Sequence, residues 1–509
     1  MRRFAVLLAG IALLVPLVAV PAGPASAATS SLSVTVIGRD GHIGSGDVTA
    51  IRLADGWHYG VRGGHTVRLP AGRYDVFTDV FTKGDQSDTL SARRITVSGA
   101  TKLTIDARHG HRVRATLSPA APNGYQHTFL MSLCDTGLIL GSAGFYTVSD
   151  ALYVVGSGLR GIEFAFASIW EPIDKPGAAF LATARYRGGV PSGVSRTFRQ
   201  SALATIAIRA RTGPQTGTVQ LGLQGYSADE CVEENLQLFA TGRLPLAVSA
   251  HVSAGSWSVA EDGQDYLAGR ARTYRSGHRY RLTLNRAAWG PGGDLPFTSA
   301  WDRRLQVNTA RMFTDPELRA SAGARITFTL SGAGRTILHK TGAGEGTMLD
   351  PVLPGAGWYT LVASATRRPD HTLPAGMLST RSSLRLHFYA SPASGYQVRG
   401  YLTRFSPHGL DAANRATAGS HTTVHLLPQR GKPTDGSVRQ LPDSVHRVRA
   451  WASTDGGRTW HRLSVRHTAS GWSAVVHNPQ SGYVSLRSTV TDTHGSASTT
   501  QVIRAYAVR

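Results

Sequence analysis

The amino-acid sequence predicts an all-β protein made of several antiparallel β-sandwich domains in tandem after a cleaved signal peptide. Three observations support this class. Apolar and polar residues alternate in short runs, 57 glycines supply turns between the runs, and charged residues make up only 17% of the chain. Alternation with a period of two places successive side chains on opposite faces of a strand, as a half-buried sheet requires. The 509 residues are enough for roughly three or four ordinary domains.

The N-terminal segment 1–27 has the composition of a secretory signal peptide. Two arginines precede an apolar run over 4–20, which Pro16 interrupts, and the small residues 25–27 form a cleavage site. A membrane anchor is the alternative, but the apolar run is short and ends at that cleavage site. No later window is long and apolar enough for a transmembrane segment. We therefore expect a secreted, extracellular protein without a transmembrane segment.

The basic residues are numerous but scattered along the sequence. The formal net charge is +22, and lysine contributes only five of the 54 basic residues. No block of consecutive Lys and Arg and no basic helix is present, which argues against dedicated recognition of nucleic acid. The positive charge still predicts a weak attraction to anionic cell walls or polymers.

The first predicted domain covers 28–110. Residues 32–36 alternate as a strand, and turns at 38–41 and 70–73 separate further strand-forming runs. These further runs are 48–51, 66–69, 74–77, 94–97 and 102–105. Their order, with Leu-Pro-Ala-Gly-Arg-Tyr over 69–74, resembles the carboxypeptidase-regulatory or prealbumin-like sandwich. That resemblance implies a module without catalytic residues.

The second predicted domain, 111–246, is β-rich and contains both cysteines of the chain, Cys134 and Cys231. Outside the cell the two can form a disulfide, and two free thiols are the alternative. Strands are predicted over 149–155, 161–167 and 204–210. A short helix or a structured loop is predicted around 229–239.

The third predicted domain, 247–390, repeats the pattern of a β-sandwich. Its predicted strands are 280–284, 305–308, 325–330, 358–362 and 384–389. The turn over 353–359 is similar to the one over 69–74, since both place Pro and Gly before an aromatic residue that starts a strand. We interpret this as a turn type that both sandwiches use.

The fourth predicted domain, 391–509, is an Ig-like sandwich with one conspicuous turn. Ser453, Asp455, Gly457 and Trp460 follow the Asp-box pattern Ser-x-Asp-x-Gly-x-Thr-Trp, known from sialidase propellers and other β-proteins. A propeller would repeat the motif in several blades, whereas this sequence has one copy. We expect these four residues to hold a hairpin together, with no part in glycan hydrolysis.

Catalytic and metal-binding motifs are missing from the sequence. His109 and His111 are not followed by the small-residue helix of a subtilisin-like peptidase, and neither a Gly-Thr-Ser nor a Gly-x-Ser-x-Gly nucleophile segment is present. The acidic segment 229–234 could attract calcium, but it lacks the spacing of a calcium loop. We predict no catalytic residues, no metal and no cofactor.

Exposed aromatic residues are the remaining route to ligand binding, because flat rings stack on sugars and peptides. Each of these residues fits a sandwich core as well as a binding surface. The candidates are Trp57, Tyr59, Trp170, Trp301, Trp451, Trp460 and Trp472.

The C-terminal part resembles a known family. The segments 401–411, 451–457, 482–487 and 502–506 are similar to the non-catalytic C-terminal regions of secreted subtilisin-like serine peptidases of high-GC Gram-positive bacteria. The N-terminal sandwich resembles an accessory module of the same proteins. The catalytic domain of that family is missing, so its activity does not carry over.

These observations together predict a secreted, non-catalytic protein that binds or scaffolds outside the cell. Its expected partners are a cell-wall polymer, a polysaccharide or an extracellular protein, with no specific nucleic acid. Two alternatives remain. One is a partner or inhibitor of a separate extracellular peptidase, and the other is a hydrolase whose site brings together residues distant in sequence.

Overall fold

A computed structural model describes most of the chain. The described residues are 29–44, 46–135, 143–173, 176–226, 234–269, 271–292, 300–301, 304–305, 307–308, 312–315, 318–321, 324–344, 347–367, 372–391, 400–430 and 444–509. The predicted signal peptide lies outside this part of the chain, as does Cys231.

Almost every described element is a strand, and the all-β prediction is confirmed. The strands before residue 120 are β1 (Thr29–Ile37), β2 (Gly46–Arg52), β3 (His58–Arg62), β4 (Thr66–Pro70), β5 (Gly72–Thr82), β6 (Ser87–Val97), β7 (Ala100–Asp106) and β8 (His111–Ser118). Those from 120 to 299 are β9 (Tyr125–Asp135), β10 (Ala143–Ser149), β11 (Leu152–Val155), β12 (Ile162–Pro172), β13 (Ala179–Arg187), β14 (Val194–Arg199), β15 (Ala204–Ala210), β16 (Thr218–Tyr226), β17 (Glu234–Arg243), β18 (Leu246–Val252), β19 (Gly255–Asp262), β20 (Tyr266–Gly269), β21 (Arg272–Tyr274) and β22 (Arg279–Leu284). Those from 300 to 400 are β23 (Ala300–Trp301), β24 (Arg304–Leu305), β25 (Val307–Asn308), β26 (Leu318–Ser321), β27 (Ala324–Gly332), β28 (Arg335–Ala343), β29 (Met348–Leu349), β30 (Gly357–Arg367) and β31 (Arg381–Ala390). The remaining strands are β32 (Leu402–Pro407), β33 (Arg415–Ala416), β34 (His421–Gln429), β35 (Val445–Ser453), β36 (His461–Leu463), β37 (Val465–Thr468), β38 (Gly471–His477), β39 (Gly482–Asp492) and β40 (Ala497–Val508). Two single 3-10 turns, Ala107–His109 and Gln200–Ala202, are the other described elements.

The N-terminal part is a sandwich of a three-stranded and a seven-stranded sheet. Strand β1 alternates as the sequence predicts, with Leu32, Val34 and Val36 fully buried. It lies between β4 and β7 in the smaller sheet. The larger sheet has the order β14-β8-β11-β6-β5-β2-β3, so strands from both sides of the predicted boundary at 110/111 share one sheet.

A second seven-stranded sheet, β10-β9-β12-β13-β18-β15-β22, packs against the first one. Aromatic side chains of β9, β12 and β13 fill the space between them, among them Phe129, Phe164, Phe166 and Phe180. A six-stranded sheet built on β17-β16-β19-β20-β26 contributes to the largest core cluster. Neither the helix nor the loop predicted over 229–239 describes residues 234–239, because these residues begin β17 and pair with β16.

A nine-stranded sheet dominates the C-terminal half. Its main order is β28-β27-β30-β31-β40-β39-β35-β36, and β33 pairs with the end of β40. Strand β31 pairs with β40 over seven residues, so this sheet crosses the predicted boundary at 390/391. One face is buried, partly against the largest core cluster and partly under the four-stranded sheet β32-β34-β38-β37. Its other face is the outer face described below.

Most strand pairs are antiparallel, but six described pairs are parallel: β1 with β7, β6 with β11, β8 with β14, β13 with β18, β15 with β22, and β33 with β40. Parallel neighbours need a crossover connection, so each of these pairs joins segments that are far apart in sequence. The sheets are therefore more interwoven than a row of independent sandwiches.

Candidate functional site

The Asp-box segment forms a turn closed by its own side chains. Asp455 accepts hydrogen bonds from the backbone N–H groups of Arg458 and Thr459 at 2.9–3.0 Å and from the Thr459 hydroxyl at 2.6 Å. The Ser453 hydroxyl donates to Asp455 Oδ1 and accepts from the N–H of Gly457. The four residues singled out from the sequence therefore lie in one turn, since the Trp460 indole N–H also donates to the Gly457 carbonyl at 3.0 Å.

The charge of Asp455 and the size of Gly457 both matter to this turn. Hydrogen bonds from Thr459 hold the pKa of the Asp455 carboxyl well below its ordinary value. Gly457 has φ = 90°, and a Cβ there would lie 2.7 Å from Ile503 Cδ1. The turn directs Trp460 onto the sheet, where the Arg487 guanidinium lies 4.0 Å from its ring centroid.

Replacing Asp455 with alanine is expected to open this turn without unfolding the sheet. The N–H groups of Arg458 and Thr459 lose their acceptor, so their hydrogen exchange should accelerate by about tenfold or more. Exchange at Val490 in β39, which lies between β40 and β35, serves as the internal control and should stay unchanged. Equal protection of residues 458 and 459 in variant and wild type would contradict the role given to the carboxylate.

The outer face of the nine-stranded sheet is an extended polar surface rich in basic side chains. Side chains along β31 alternate between buried and exposed, so Arg381, Arg385 and His387 all point outward. On β35 the same alternation exposes Arg447 and Arg449. The alternation that buries apolar side chains in the core therefore also places basic side chains on the opposite face.

The register of the sheet arranges these cations in two columns. Arg385 pairs with Thr499, Thr499 with Thr489, and Thr489 with Arg449. Three strand spacings of about 4.8 Å separate the columns by roughly 14 Å. The first column is Arg381 and Arg385 of β31, with His387 beside them, and the second is Arg447 and Arg449 of β35. Arg462 lies one strand further out, on β36.

Short polar side chains occupy the floor between the columns. We call this floor the trough; it consists of Thr489 and Thr491 of β39 and Ala497, Thr499 and Gln501 of β40. The Thr489 and Thr499 hydroxyls lie 3.0 Å apart. Arg487 donates from Nε and Nη2 to Gln501 Oε1 at 3.1 and 2.9 Å, which fixes the orientation of that amide.

The outer face carries positive charge without compensation. The strands β27, β28, β30, β31, β35, β36, β39 and β40, as described, contribute no aspartate or glutamate to this face; the one acid on them, Asp492, is buried. Arg381, Arg385, Arg447, Arg449 and Arg462 make no ion pair with any carboxylate in the described part of the chain. Arginines in this state are available to an anionic ligand.

An aromatic group that the sequence analysis missed borders the trough. Trp358 is 43% exposed and Tyr389 is 47% exposed, and their rings meet edge to face with centroids 5.8 Å apart. The His387 ring stacks on Trp358 at 4.9 Å. Alternation along β30 could have identified Trp358, because it is out of phase with the apolar Tyr359 and Leu361 that face the core.

The aromatics that the sequence singled out are dispersed. Trp57 is 65% exposed on the N-terminal part, whereas Trp170 is buried and stacks on His127 at 4.7 Å. Tyr59, Trp451, Trp460 and Trp472 are partly buried, and Trp301 belongs to β23. The structure brings two of them, Trp451 and Trp460, to the edge of the outer face through β35 and the Asp455 turn.

The histidines and acidic residues considered from the sequence do not form an accessible catalytic or metal-binding site in the described part of the chain. His127 Nε2 lies 2.6 Å from Ser168 Oγ, but Ser168 is fully buried between sheets and cannot meet a substrate. His109 ends the 3-10 turn and His111 begins β8, and both are exposed. The described residues contain no group of three or more His, Cys, Asp or Glu side chains placed to hold a metal ion.

The predicted disulfide and most of the acidic segment fall outside this description. Cys231 and residues 229–233 lie beyond the described ranges, so pairing of Cys134 with Cys231 stays a prediction. No described helix has the length and apolar content needed to span a bilayer.

Comparison with known proteins names no family for this chain. No protein-family model matches it, and no curated protein matches it. The Bacillus anthracis TIE protein aligns with 9% identity over 69% of this chain and 72% of its own, at a TM-score of 0.13. The pilus adhesin SpaC from Lactobacillus rhamnosus GG aligns in two structures, one in an open conformation, with 10% identity over 72% of this chain and a TM-score of 0.13. This chain spans 55% and 52% of those two adhesin chains, and TM-scores at this level are too low to indicate a shared fold.

Proposed function

We propose that this chain is an exported, non-catalytic protein that binds an extracellular polymer through the outer face. The observation that carries the proposal is the set of exposed arginines on that face that no described carboxylate neutralises. Keeping like charges together destabilises a folded protein unless a ligand compensates them. A broad sheet face also suits an extended ligand better than a small molecule, which needs a concave pocket.

Two further features support the proposal. The leader over 1–27 has the composition of an export signal, and the C-terminal segments resemble accessory regions of secreted peptidases. One described serine hydroxyl that lies beside a histidine ring, Ser168 Oγ next to His127 Nε2, is fully buried. A binding role therefore fits the described residues better than the hydrolase alternative.

Sedimentation with insoluble polymers tests the binding role. The purified mature chain should sediment with at least one of purified bacterial cell walls, chitin, cellulose or cross-linked polygalacturonate, and salt should release it because exposed charges are screened. Bovine serum albumin in the same tubes controls for trapping. Recovery of all the protein in every supernatant would refute the proposal.

Treatment with a fluorophosphonate probe tests the non-catalytic part of the proposal. We expect no labelled serine; Ser168, which lies beside His127 in the described chain, is buried and out of reach of the probe. Trypsin in the same reaction controls for the reactivity of the probe. A labelled serine would overturn this part and favour the hydrolase alternative.

A further inference from the structure

This inference rests on the function proposed above. The shape and chemistry of the trough and its two arginine columns indicate which class of polymer binds there. We propose that the outer face binds an acidic polysaccharide lying along β40 in the trough, with its carboxylate or sulfate groups paired to arginines of both columns. Three features of the face lead to this class: the arginine columns, the hydroxyl floor and the covered aromatic rings.

The columns recognise the acidic groups. A guanidinium presents parallel N–H donors that match the two oxygens of a carboxylate or a sulfate, and such pairs are stronger than neutral hydrogen bonds. Arg385 and Arg449 face each other across the trough in one register row. A chain with acidic groups on both edges, placed between columns roughly 14 Å apart, can pair with both of them.

The floor recognises hydroxyl groups. The Thr489 and Thr499 hydroxyls share one hydrogen bond, which leaves further donor and acceptor capacity on the pair. Gln501 accepts from Arg487 with its oxygen, so its NH2 group is directed away from that contact and has no partner among the described residues. These groups are the donors and acceptors that sugar hydroxyls use, whereas an inorganic polyanion would have little use for them.

Aromatic residues border the trough at both ends, and one face of each indole is already covered. A Cβ added to Gly495, in the turn between β39 and β40, would lie 3.5 Å from Trp358 Cη2, which places the indole at that end of the trough. His387 covers a face of Trp358 at 4.9 Å, and Arg487 covers a face of Trp460 at 4.0 Å. Single-stranded nucleic acid is held by bases stacked on open aromatic faces. Because one face of each indole is already taken, the two ends of the trough offer less stacking surface than such a site uses, which favours a polysaccharide over a nucleic acid.

The face is long enough to hold several sugar units. Along β31, eight residue steps separate Arg381 from Tyr389, which is roughly 27 Å at about 3.4 Å per residue. Because many weak ion pairs act together, affinity should depend steeply on salt.

Affinity measurements on the intact mature chain with soluble polymers test this inference. The polymers are polygalacturonate for carboxylates, dextran sulfate for sulfates, neutral dextran, and poly(dT). We expect binding to polygalacturonate, dextran sulfate or both, which distinguishes the two acidic groups, and weaker binding to poly(dT) and neutral dextran. The double variant Arg385→Gln/Arg449→Gln should lose at least about tenfold in affinity and show a shallower salt dependence, by about one unit of slope per arginine.

A matched variant and a floor variant complete the experiment. Arg196→Gln/Arg281→Gln removes the same charge from exposed positions on β14 and β22 and should keep the wild-type affinity to within about twofold. Thr499→Val keeps the β-branched shape of the floor while removing a hydroxyl, and it should weaken binding of polygalacturonate by roughly threefold to tenfold. Thermal unfolding of each variant confirms that it is folded.

The outcomes separate this inference from the proposed function. Equal losses in the two double variants would overturn the trough as the site, because net charge alone would explain the binding. Preference for poly(dT) or neutral dextran would overturn the acidic polysaccharide while the binding of a polymer stands. Absence of binding to every soluble polymer and to every insoluble one would refute both.

Discussion

Replacing Arg367 with methionine is expected to lower the free energy of unfolding by about 3–5 kcal/mol, because the substitution leaves a buried carboxylate without its cation. Arg367 and Asp265 form an ion pair in which both side chains are essentially unexposed. Arg367 Nη1 also donates to the Pro214 carbonyl at 2.7 Å, and the guanidinium lies 5.0 Å from the centroid of the buried Trp289 ring. Urea unfolding followed by tryptophan fluorescence measures the loss.

Two variants give this prediction its controls. Arg304 and Asp350 form an ion pair at 3.4 Å in which both side chains are about half exposed, so Arg304→Met should cost less than about 1 kcal/mol. Replacing both buried partners, as Asp265→Leu/Arg367→Met, should recover most of the lost stability, since neither partner is then left as an unpaired buried charge. A double variant as unstable as Arg367→Met would show that packing around Arg367, and not the stranded charge, sets the cost.

Stability should fall as the pH rises towards neutrality, and Glu261→Gln should remove most of that fall. Burial raises the pKa of Glu261 to about 7 from an ordinary value of 4.5; hydrogen bonds from Asn285 oppose the rise, and the charge of Asp315 adds to it. The folded protein therefore retains a proton that the unfolded chain releases. This contribution is complete below about pH 4.5 and is lost as the pH passes through about 7, and its size is about 3 kcal/mol.

The measurement is a series of urea titrations from pH 5 to pH 8 on the wild type and the variant. Glutamine keeps an oxygen that can accept from Asn285 and Gln215, which donate to Glu261 at 2.8 and 2.9 Å, and it carries no charge. Asp350→Asn removes an exposed carboxylate and should leave the pH dependence of the wild type unchanged. Parallel curves for the wild type and Glu261→Gln would contradict the buried proton.

Local patterns in the sequence predict the strands well, because a strand needs only alternation and turns. Residues 204–210 form β15 with the predicted bounds, and 32–36 lie within β1. Residues 234–239 are predicted as a helix or a loop, yet polar and apolar residues alternate in Asn235-Leu236-Gln237-Leu238, and this segment pairs with β16 as part of β17.

Pairing between distant strands is what the sequence could not predict. The basic residues are scattered along the chain, yet Arg385 and Arg449, which are 64 positions apart, face each other across the trough because β40 and β39 lie between their strands. The register of four strands is a non-local property. For the same reason, the aromatic pair Trp358 and Tyr389 becomes visible as a surface group only after β30 and β31 are aligned.

The position of β40 affects the order in which the nine-stranded sheet can fold. It is flanked by β31 and β39 in the interior of the nine-stranded sheet, and its pairing joins residues 381–387 to residues 497–503. The ribosome must release the chain as far as Val508 before β40 can pair fully with its neighbours. More than a hundred residues are therefore synthesised after β31 while this edge of β31 stays unpaired. Such long-range pairing slows folding and leaves exposed a strand edge that can pair with another chain. Partly synthesised chains are therefore prone to associate through this edge until β40 has been made.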